Sequence, residues 1–422
     1  MDAPYPDWPA VLRNRRLILI VTGGVAAYKA AELARLYIKA GAIVRVAMTK
    51  AATRFVGPLT FESLTGQPCV SDMWAGSRTE IAHVSWAEWA EAIVVAPATA
   101  NFLARATWGL ANDFATALFL AYEGPKIVAP AMNTGMWLNP ATQRNATILA
   151  ERGIEVINPV CGPLASGRVG PGRLPRPKDI LQRTAGLITP KPFSGQSFLV
   201  TAGATREPWD DIRYLSNLSS GKMGLALAIS AWLLGAKVTV IAGPLVENPL
   251  WGGERFHYLT VETTEEMLIE TQKRLKEADY LIMNAAPADF KPPRVPGKIK
   301  KEGNGPLTLT LDKTPDILKT ILKDRSERPT VIGFAAESED ILPKAREKLK
   351  DKGLDYIAAN KAGGVNTAFS APTIHLWLIK KNGEETEFAP GPKFDVAYQL
   401  LMKLAEERFD WGKLGITPSF PL

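Results

Sequence analysis

The fold of this chain is decided first by residues 17–48, LILIVTGGVAAYKAAELARLYIKAGAIVRVAM. Residues 17–22 form an apolar run that ends at two glycines, which is typical of a parallel strand covered on both faces. A helix is expected over residues 26–40, ended by Gly41, and a second strand over residues 43–48. This β-α-β order predicts a doubly wound α/β sheet.

The same alternation continues along the chain and predicts two Rossmann-like domains, residues 1–187 and 197–422, joined by a linker at 188–196. Further strands are expected at residues 92–96, 126–130, 155–158, 198–201, 237–242, 280–285, 330–334 and 356–359, with more exposed strands at 308–311 and 373–379. Further helices are expected at residues 179–186, 222–234, 264–277, 317–323 and 341–351.

One interval, residues 161–177, has the sequence CGPLASGRVGPGRLPRP and interrupts this alternation. Because it is dense in Gly and Pro, it is not expected to hold regular structure for long. A loop of this length in a compact domain is usually functional or disordered. We expect it to form a mobile flap that covers a site. Residues 409–422 show no clear period and are expected to form a tail.

Composition excludes several classes of protein. The 422 residues carry a net charge of +7, and their only dense basic cluster is KIKK at residues 298–301, so nucleic-acid binding is not expected. Two cysteines cannot form a disulfide framework or a cysteine-rich zinc site. The N-terminus is too polar for a signal peptide, and no apolar run approaches the ~20 residues that span a bilayer. We expect a soluble, cytoplasmic protein with no membrane partner.

Residues 201–224, TAGATREPWDDIRYLSNLSSGKMG, predict an anion site in the second half. They run from a short strand to a helix expected to begin near Ser219 or Ser220. The backbone N–H groups and the positive end of such a helix attract phosphate. An ordinary turn with serine as the N-cap explains the Ser-Ser-Gly motif equally well. The stretch is not a Walker A loop, because Met223 follows Lys222.

The turn at Gly23 and Gly24 predicts a phosphate loop in the first half, although it departs from G-x-G-x-x-G. Thr49 occupies the position at which an acidic residue would hold a dinucleotide ribose, so a mononucleotide such as FMN fits better. Two further segments, PATAN from Pro97 and PAMN from Pro130, follow predicted strands at the edge where such sheets bind ligands. A lone His83 is more often structural than catalytic. His, Cys and carboxylates show no metal-ligand spacing.

Motifs across the chain resemble two enzyme families. GGVAAYK, IAHVSWAEWAE, APATAN, GLANDF, PAMNTGMW and GRVGPGR resemble the flavin-dependent phosphopantothenoylcysteine decarboxylases. TAGATRE, IRYLSNLSSGKMG, AAPADF, KIKK and GFAAE resemble the CTP-using bacterial phosphopantothenoylcysteine synthetases. Both halves occur in this order in bacterial bifunctional enzymes of coenzyme A synthesis, and the match covers roughly residues 15–405. The resemblance implies a flavodoxin-like flavoprotein domain followed by a nucleotide-binding synthetase domain.

For the second half, the resemblance implies that CTP activates 4′-phosphopantothenate as an acyl-cytidylate, which cysteine then attacks, with magnesium offsetting charge. Lys298 matches a lysine that contacts the nucleotide and the charge that develops in the reaction. Asn217 matches the asparagine that holds the acyl-cytidylate, and Arg213, in the same motif, is expected to bind the substrate. The remaining nucleotide contacts implied are Asn284, Ala285, Asp289, Pro315, Asp316, Ile317, Leu318, Phe334, Lys348 and Lys352.

For the first half, the resemblance implies FMN-dependent decarboxylation of phosphopantothenoylcysteine to 4′-phosphopantetheine. Hydride transfer to FMN from the carbon that bears sulfur provides an electron sink for the departing CO₂. His83 matches the active-site base and Asn133 the residue that grips the substrate carboxylate. The flavin and substrate contacts expected are Gly23, Gly24, Thr49, Pro97, Ala98, Thr99 and Asn101.

One position departs from the family pattern. The family's flap carries a cysteine that donates the proton completing reduction, and Ser166 stands at that position here. A hydroxyl is a weaker acid than a thiol, whose pKa is about 8.5. Ser166 relays a proton, Cys161 reaches in from the same flap, or the reaction stops at the enethiol. A fused synthetase favours full decarboxylation, because the normal product is then wanted.

Two further implications concern assembly and an alternative role. Flavin domains of the family form trimers and synthetase domains form dimers, which implies a larger homo-oligomer, a dodecamer. Flavin-domain relatives also serve as non-catalytic inhibitors of protein phosphatases. The presence of His83, Asn133, Asn217 and Lys298 argues against that role here.

Overall fold

The chain divides into two compact units, one spanning residues 10–189 and the other beginning at Pro190. A computed structural model describes residues 10–74, 81–244, 246, 255–300, 308–323, 329–361 and 371–407. The expected tail at 409–422 lies outside the described residues. None of the helices in these ranges is long and apolar enough to cross a bilayer.

The first unit is built on a six-stranded parallel sheet with the order β3-β2-β1-β4-β5-β6, as in a doubly wound nucleotide-binding fold. Its elements are β1 (Arg16–Val21), α1 (Tyr28–Lys39), β2 (Ile43–Met48), α2 (Pro58–Thr65), β3 (Cys69–Val70), α3 (Ala82–Trp89), β4 (Ala92–Ala98), α4 (Ala100–Trp108), α5 (Phe114–Ala121), β5 (Lys126–Pro130), α6 (Thr134–Trp137), α7 (Pro140–Glu151), β6 (Glu155–Val156), β7 (Val160–Pro163), β8 (Val169–Arg173) and α8 (Pro177–Ile188).

The core of the first unit confirms the prediction of a strand covered on both faces. Residues 17–21 of β1 are all fully buried, because β1 pairs with β2 and β4 in the middle of the sheet. The helix expected at residues 26–40 is preceded by a 3₁₀ turn at Val25–Ala27, and Gly41 follows it with φ at +82°.

Residues 161–177, which were not expected to hold regular structure for long, form a hairpin that the sequence did not predict. Strands β7 and β8 pair as an antiparallel hairpin, with Gly162 opposite Gly170 and Pro163 opposite Val169. A two-stranded ribbon has only edge strands, so proline can sit where no ladder hydrogen bond is needed. The turn is closed by two backbone hydrogen bonds, from the N–H of Leu164 to the oxygen of Arg168 and from the N–H of Gly167 to the oxygen of Leu164.

The second unit contains an eight-stranded sheet with the order β13-β12-β9-β14-β17-β18-β19-β20, in which β19 pairs antiparallel with both β18 and β20 and all the other pairs are parallel. Its elements are β9 (Ser197–Ala202), β10 (Arg206–Pro208), β11 (Tyr214–Ser216), α9 (Lys222–Leu233), β12 (Lys237–Ala242), β13 (Phe256–Thr260), α10 (Thr264–Leu275), β14 (Tyr280–Met283), β15 (Phe290–Lys291), β16 (Asp312–Lys313), α11 (Ile317–Ile321), β17 (Thr330–Glu337), α12 (Ile341–Asp351), β18 (Tyr356–Lys361), β19 (Thr373–Lys380), β20 (Glu385–Pro392) and α13 (Lys393–Glu406).

Three expectations for the second unit are corrected. Residues 308–311 form no strand, and the neighbouring β16 instead pairs with β15. Helix α9 begins at Lys222, so Ser219 and Ser220 lie before it and Gly221 is the N-cap. Gly221 has φ at +69°, and a Cβ there would overlap Val246, so neither serine nor any other side chain suits this position.

The connection between the units is shorter than the linker expected at residues 188–196. Ile188 is the last residue of α8, while Phe193 is fully buried in the second unit. The ring of Phe193 packs edge-on against Phe198 and Tyr280, with centroids 4.9 and 5.5 Å away. The apolar side chain at 193 therefore belongs to a core.

Candidate functional sites at the carboxyl edges of the two sheets

A cavity of about 510 Å³ lies at the carboxyl edge of the first sheet. Parallel strands end at the same edge, so the segments that follow β1, β4 and β5 meet there. The cavity is lined by residues from these segments and from the β7–β8 hairpin, which brings together the predicted site residues Gly23, Gly24, Thr99, Asn133 and Ser166.

Asn133 and Ser166 form the polar end of this cavity. Asn133 Oδ1 accepts from the N–H of Gly135, 2.9 Å away, and so begins α6. Its Nδ2 donates to Ser166 Oγ at 3.2 Å. Cys161, the other candidate proton donor, is exposed on β7 and is absent from the residues lining the cavity. The hairpin therefore presents the serine, and not the cysteine, to Asn133.

A second cavity of about 460 Å³ adjoins the first, because Gly23 and Thr99 line both. Thr49 and Asn101, both predicted flavin contacts, line this second cavity. Gly23 is required here, since a Cβ at this position would overlap Ala51. The two cavities together form a site that reaches from the phosphate loop to the hairpin.

The wall of the second cavity contains an ion pair that sequence reasoning did not assign. Arg105 Nη1 donates to Asp113 Oδ2 at 2.8 Å, and its Nη2 donates to Thr116 Oγ1 at 2.8 Å and to Asn112. Burial opposes ionisation of Asp113, but hydrogen bonds from Arg105 and Thr116 hold the pKa of its carboxyl below the ordinary value. The GLANDF motif was the available signal for this pair.

Two predicted contacts support the site without lining either cavity. Ala98 is fully buried in β4. The main-chain oxygen of Pro97 accepts from Thr22 Oγ1 at 2.7 Å, and Thr22 Oγ1 in turn accepts from the N–H of Thr99 at 3.0 Å. Thr22, which sequence reasoning missed, thus ties the end of β1 to the segment after β4.

His83 is not among the described residues that line the two cavities. It is half-buried in the first turn of α3, directly after residues 75–80, which lie outside the described ranges. The helix is held by Trp86, whose ring packs edge-on against Phe114 at 5.3 Å, and by Arg45, which lies 4.1 Å from the centre of the Trp89 ring.

In the second unit, Asn217 is bound to the loop that follows β14. Its Nδ2 donates to the main-chain oxygens of Ala286, at 3.2 Å, and Pro287, at 2.9 Å. The predicted contacts Asn284 and Ala285 lie in the same loop. The amide donors of Asn217 are therefore engaged by the main chain, and its side-chain oxygen is the part that a ligand can contact.

Three polar residues of the TAGATRE motif, which sequence reasoning did not assign, form hydrogen bonds in or next to this loop. Thr201 Oγ1 accepts from the N–H of Ala285 at 3.2 Å, and Thr205 Oγ1 accepts from the N–H of Ala288 at 3.0 Å. Glu207 is buried and accepts from both the N–H and the hydroxyl of Thr264, at 2.9 and 2.8 Å. Buried polar groups of this kind are costly unless paired, and pairing fixes the loop.

Five other predicted nucleotide contacts lie further along the chain, at residues 289 and 315–318. The main-chain oxygen of Asp289 accepts from the N–H of Thr314 at 3.0 Å. Pro315 comes next, and Asp316 begins α11, whose first residues are Ile317 and Leu318. Asp316 Oδ2 lies 3.2 Å from Lys352 Nζ.

Of two further predicted contacts, Phe334 lies on the neighbouring strand β17 and Lys348 lies on the following helix α12. Phe334 is half-buried in β17, and Lys348 Nζ lies 2.5 Å from Oε1 of Glu337, the last residue of that strand. In the pairing of β17 with β14, Gly333 is the partner of Met283, so Phe334 comes level with the start of the loop that Asn217 contacts.

Asp210 connects Arg213 to the main chain beside Lys298. Arg213 Nη1 lies 3.5 Å from Asp210 Oδ2, and the same oxygen accepts from the N–H of Ile299 at 3.2 Å. Lys298 itself is exposed. Both predicted cations are thus attached to one stretch of chain.

Each of the two units matches a known protein family. A family described as Flavoprotein matches residues 9–189, and one described as DNA/pantothenate metabolism flavoprotein C-terminal domain matches residues 193–407. The Coenzyme A biosynthesis bifunctional protein CoaBC of Vibrio parahaemolyticus is 39% identical over 399 residues, covering 94% of this chain and 99% of that protein. The chain belongs to this family of bifunctional coenzyme A biosynthesis proteins.

Other members are equally similar. The protein of the same name from Bacillus subtilis is 38% identical, covering 94% of this chain and 98% of its own length. A crystal structure of the C-terminal domain of such a protein is 32% identical, covers 51% of this chain and 97% of that chain, and has a TM-score of 0.43. The present chain is accordingly a flavoprotein and a bifunctional enzyme, a phosphopantothenoylcysteine decarboxylase and a phosphopantothenate–cysteine ligase.

Proposed function

We propose that decarboxylation takes place at the paired cavities of the first unit with FMN, and ligation at the carboxyl edge of the second sheet with CTP and Mg²⁺. One observation carries this assignment in both units. Several of the residues that the resemblance assigns to a single reaction, although far apart in sequence, meet at the carboxyl edge of one sheet; His83 is not among those that line the cavities.

The first unit fits FMN. The Gly23–Gly24 turn lines the first cavity, with Gly23 packed too closely against Ala51 to carry a Cβ, and the adjoining cavities have the size of ordinary cofactor sites. When bound, FMN supplies an acceptor and then a donor of hydride. Asn133 binds the substrate carboxylate, His83 acts as the base, and Ser166, already in contact with Asn133, holds the proton needed to complete the product. The product is 4′-phosphopantetheine.

The second unit fits a nucleotide triphosphate and a carboxylate substrate. Asn217 holds the acyl-cytidylate, while Lys298 and Arg213 supply positive charge near it. Lys348 and Lys352 are held by Glu337 and Asp316 and are therefore positioned before a nucleotide binds. In the described residues, no group of three or more His, Cys, Asp or Glu could hold a metal ion, so Mg²⁺ would enter with the triphosphate.

Assembly is part of the proposal, with trimers of the first unit and dimers of the second combined in a dodecamer. Support comes from apolar side chains exposed on and near the β10–β11 hairpin, where Ile212 is 61% and Leu218 is 88% exposed. Exposed apolar surface of this kind marks contact sites. Sedimentation of the purified chain measures the assembly; a monomer across micromolar concentrations would contradict it.

Lys298→Gln tests the assignment of the two reactions to two units. Loss of a positive charge at a transition state costs on the order of 100-fold in rate, so CTP-dependent release of pyrophosphate should fall by about that factor. Decarboxylation of supplied phosphopantothenoylcysteine by the same preparation should be unchanged, as judged by mass spectrometry. Equal loss of both activities would show that the assignment is wrong.

A further inference from the structure

The loop that carries Lys298 is held on both sides by consecutive carboxylates. Asp211 Oδ2 accepts from the N–H of Gly297 at 2.9 Å, and Asp210 Oδ2 accepts from the N–H of Ile299 at 3.2 Å. Gly297 and Ile299 are the residues immediately before and after Lys298. The bonds join positions 86 and 89 residues apart, so they set where this loop lies.

Asp210 is also the centre of its own turn. Its Oδ1 accepts from the N–H groups of Ile212, at 2.8 Å, and Arg213, at 2.6 Å, and its carboxylate has no exposed surface. Arg213 adds an ion pair to Oδ2 and a 3.5 Å hydrogen bond from its Nη2 to the main-chain oxygen of Ile299. Burial alone would raise the pKa of Asp210, but these N–H donors and the Arg213 charge hold it below the ordinary value.

Asp211 makes a second, more exposed connection to the same loop. Its main-chain N–H donates to the oxygen of Gly297 at 3.3 Å, and its Oδ1 lies 3.9 Å from Arg294 Nη2. The oxygen of Trp209 accepts from the N–H of Val295 at 2.9 Å, which extends the contact along the loop. Residues 209–213 and 294–299 therefore form one hydrogen-bonded unit.

We propose that Asp210 and Asp211 are positioning residues for ligation, which hold the main chain on either side of Lys298 and attach it to the segment that carries Arg213. This inference rests on the proposed role of Lys298. A displacement of about 1 Å in a reacting group can cost up to 100-fold in rate. Loss of one of the two carboxylates should therefore lower the rate of ligation rather than the affinity for CTP.

Asp211→Ala and Asp211→Asn separate the hydrogen bond from the charge. The alanine variant loses both, and its kcat for CTP-dependent pyrophosphate release should fall on the order of 10-fold, with the KM for CTP within about 2-fold of wild type. The asparagine variant keeps an acceptor for the Gly297 N–H while losing the charge near Arg294, and it should restore kcat to within about 2-fold.

A double-mutant cycle distinguishes positioning from general destabilisation. In a Lys298→Gln background, Asp211→Ala should lower kcat by less than about a further 2-fold, because the lysine side chain that Asp211 positions is already absent. Asp210→Asn should show the same non-additivity. The matched control is Asp72→Ala in the first unit, where an exposed Asp72 Oδ1 likewise accepts a local N–H, from Trp74 at 3.0 Å; ligation should be unchanged.

Two results would overturn the inference. Multiplicative effects of Asp211→Ala and Lys298→Gln would show that the carboxylate acts independently of the lysine, and an alanine variant with wild-type kcat would show that it does not act at all. If Lys298→Gln alone leaves ligation intact, the proposed role of Lys298 fails first, which is a distinguishable outcome.

Discussion

Ser166→Ala should convert this enzyme from one that completes reduction into one that releases the enethiol. The hydroxyl lies 3.2 Å from Asn133 Nδ2 at the polar end of the first cavity. Its removal has two separable consequences, because Asn133 loses one hydrogen-bond acceptor and the site loses its proposed proton donor. The sizes of these two effects differ enough to be told apart.

The hydrogen bond is worth about 1 kcal/mol net, which corresponds to roughly a 5-fold change in rate. A positioned proton donor contributes about 10²–10⁴-fold. If Ser166 only orients Asn133, Ser166→Ala should slow formation of 4′-phosphopantetheine by about 5-fold or less. If it supplies the proton, formation of that product should fall by at least 100-fold, and a species lighter by two further hydrogens should accumulate.

The assay is single-turnover decarboxylation of phosphopantothenoylcysteine with mass spectrometry of the product. Loss of CO₂ alone reports complete turnover, and loss of CO₂ with two hydrogens reports the enethiol. Ser166→Cys places a stronger acid at the same position and should complete reduction at least as fast as wild type. Cys161→Ser is the control and should behave as wild type, because Cys161 lies on the exposed face of β7. Enethiol release by Cys161→Ser, with complete product from Ser166→Ala, would refute the reasoning.

Two further predictions concern the first unit. His83→Asn should retain bound flavin, seen as a yellow protein, yet release CO₂ at least 100-fold more slowly, as a lost general base requires; wild-type CO₂ release would remove His83 from the mechanism. Iodoacetamide at pH 8 should alkylate exposed Cys161 and leave Cys69 unmodified, because burial, with a smaller contribution from the Glu62 charge, raises the pKa of the Cys69 thiol to about 12. At pH 8 only about one Cys69 in 10⁴ is then the reactive thiolate; equal labelling of the intact protein in peptide mass spectra would contradict this.

Local sequence was sufficient for the elements that have their own periodicity. The strand at residues 237–242 and the helix at 341–351 have the predicted bounds, since an apolar run and an amphipathic repeat need no distant partner to be recognised. The β7–β8 hairpin and β16 were not predicted, because Gly- and Pro-rich or exposed segments become strands only when a partner strand pairs with them.

Motifs in the sequence identified the candidate residues of the two sites, but they did not show which of these residues contact one another. Motifs identified Asn133 and two candidate proton donors, and left the choice between Ser166 and Cys161 open. The pairing of Gly162 with Gly170 favours Ser166, because this register puts the turn with Ser166 against Asn133 and leaves Cys161 exposed on β7.

The sequence by itself determined that two α/β domains follow one another and that a flavoprotein domain precedes a ligase domain, and it supplied the side chains proposed to carry the chemistry. These properties depend on short contiguous segments. The tertiary structure alone decided how Lys298 is held, because its neighbours bond to Asp210 and Asp211 across more than 80 residues. It also decided how Thr201 and Thr205 support the loop after β14, since hydrogen bonds between distant segments leave no spacing in the sequence to read.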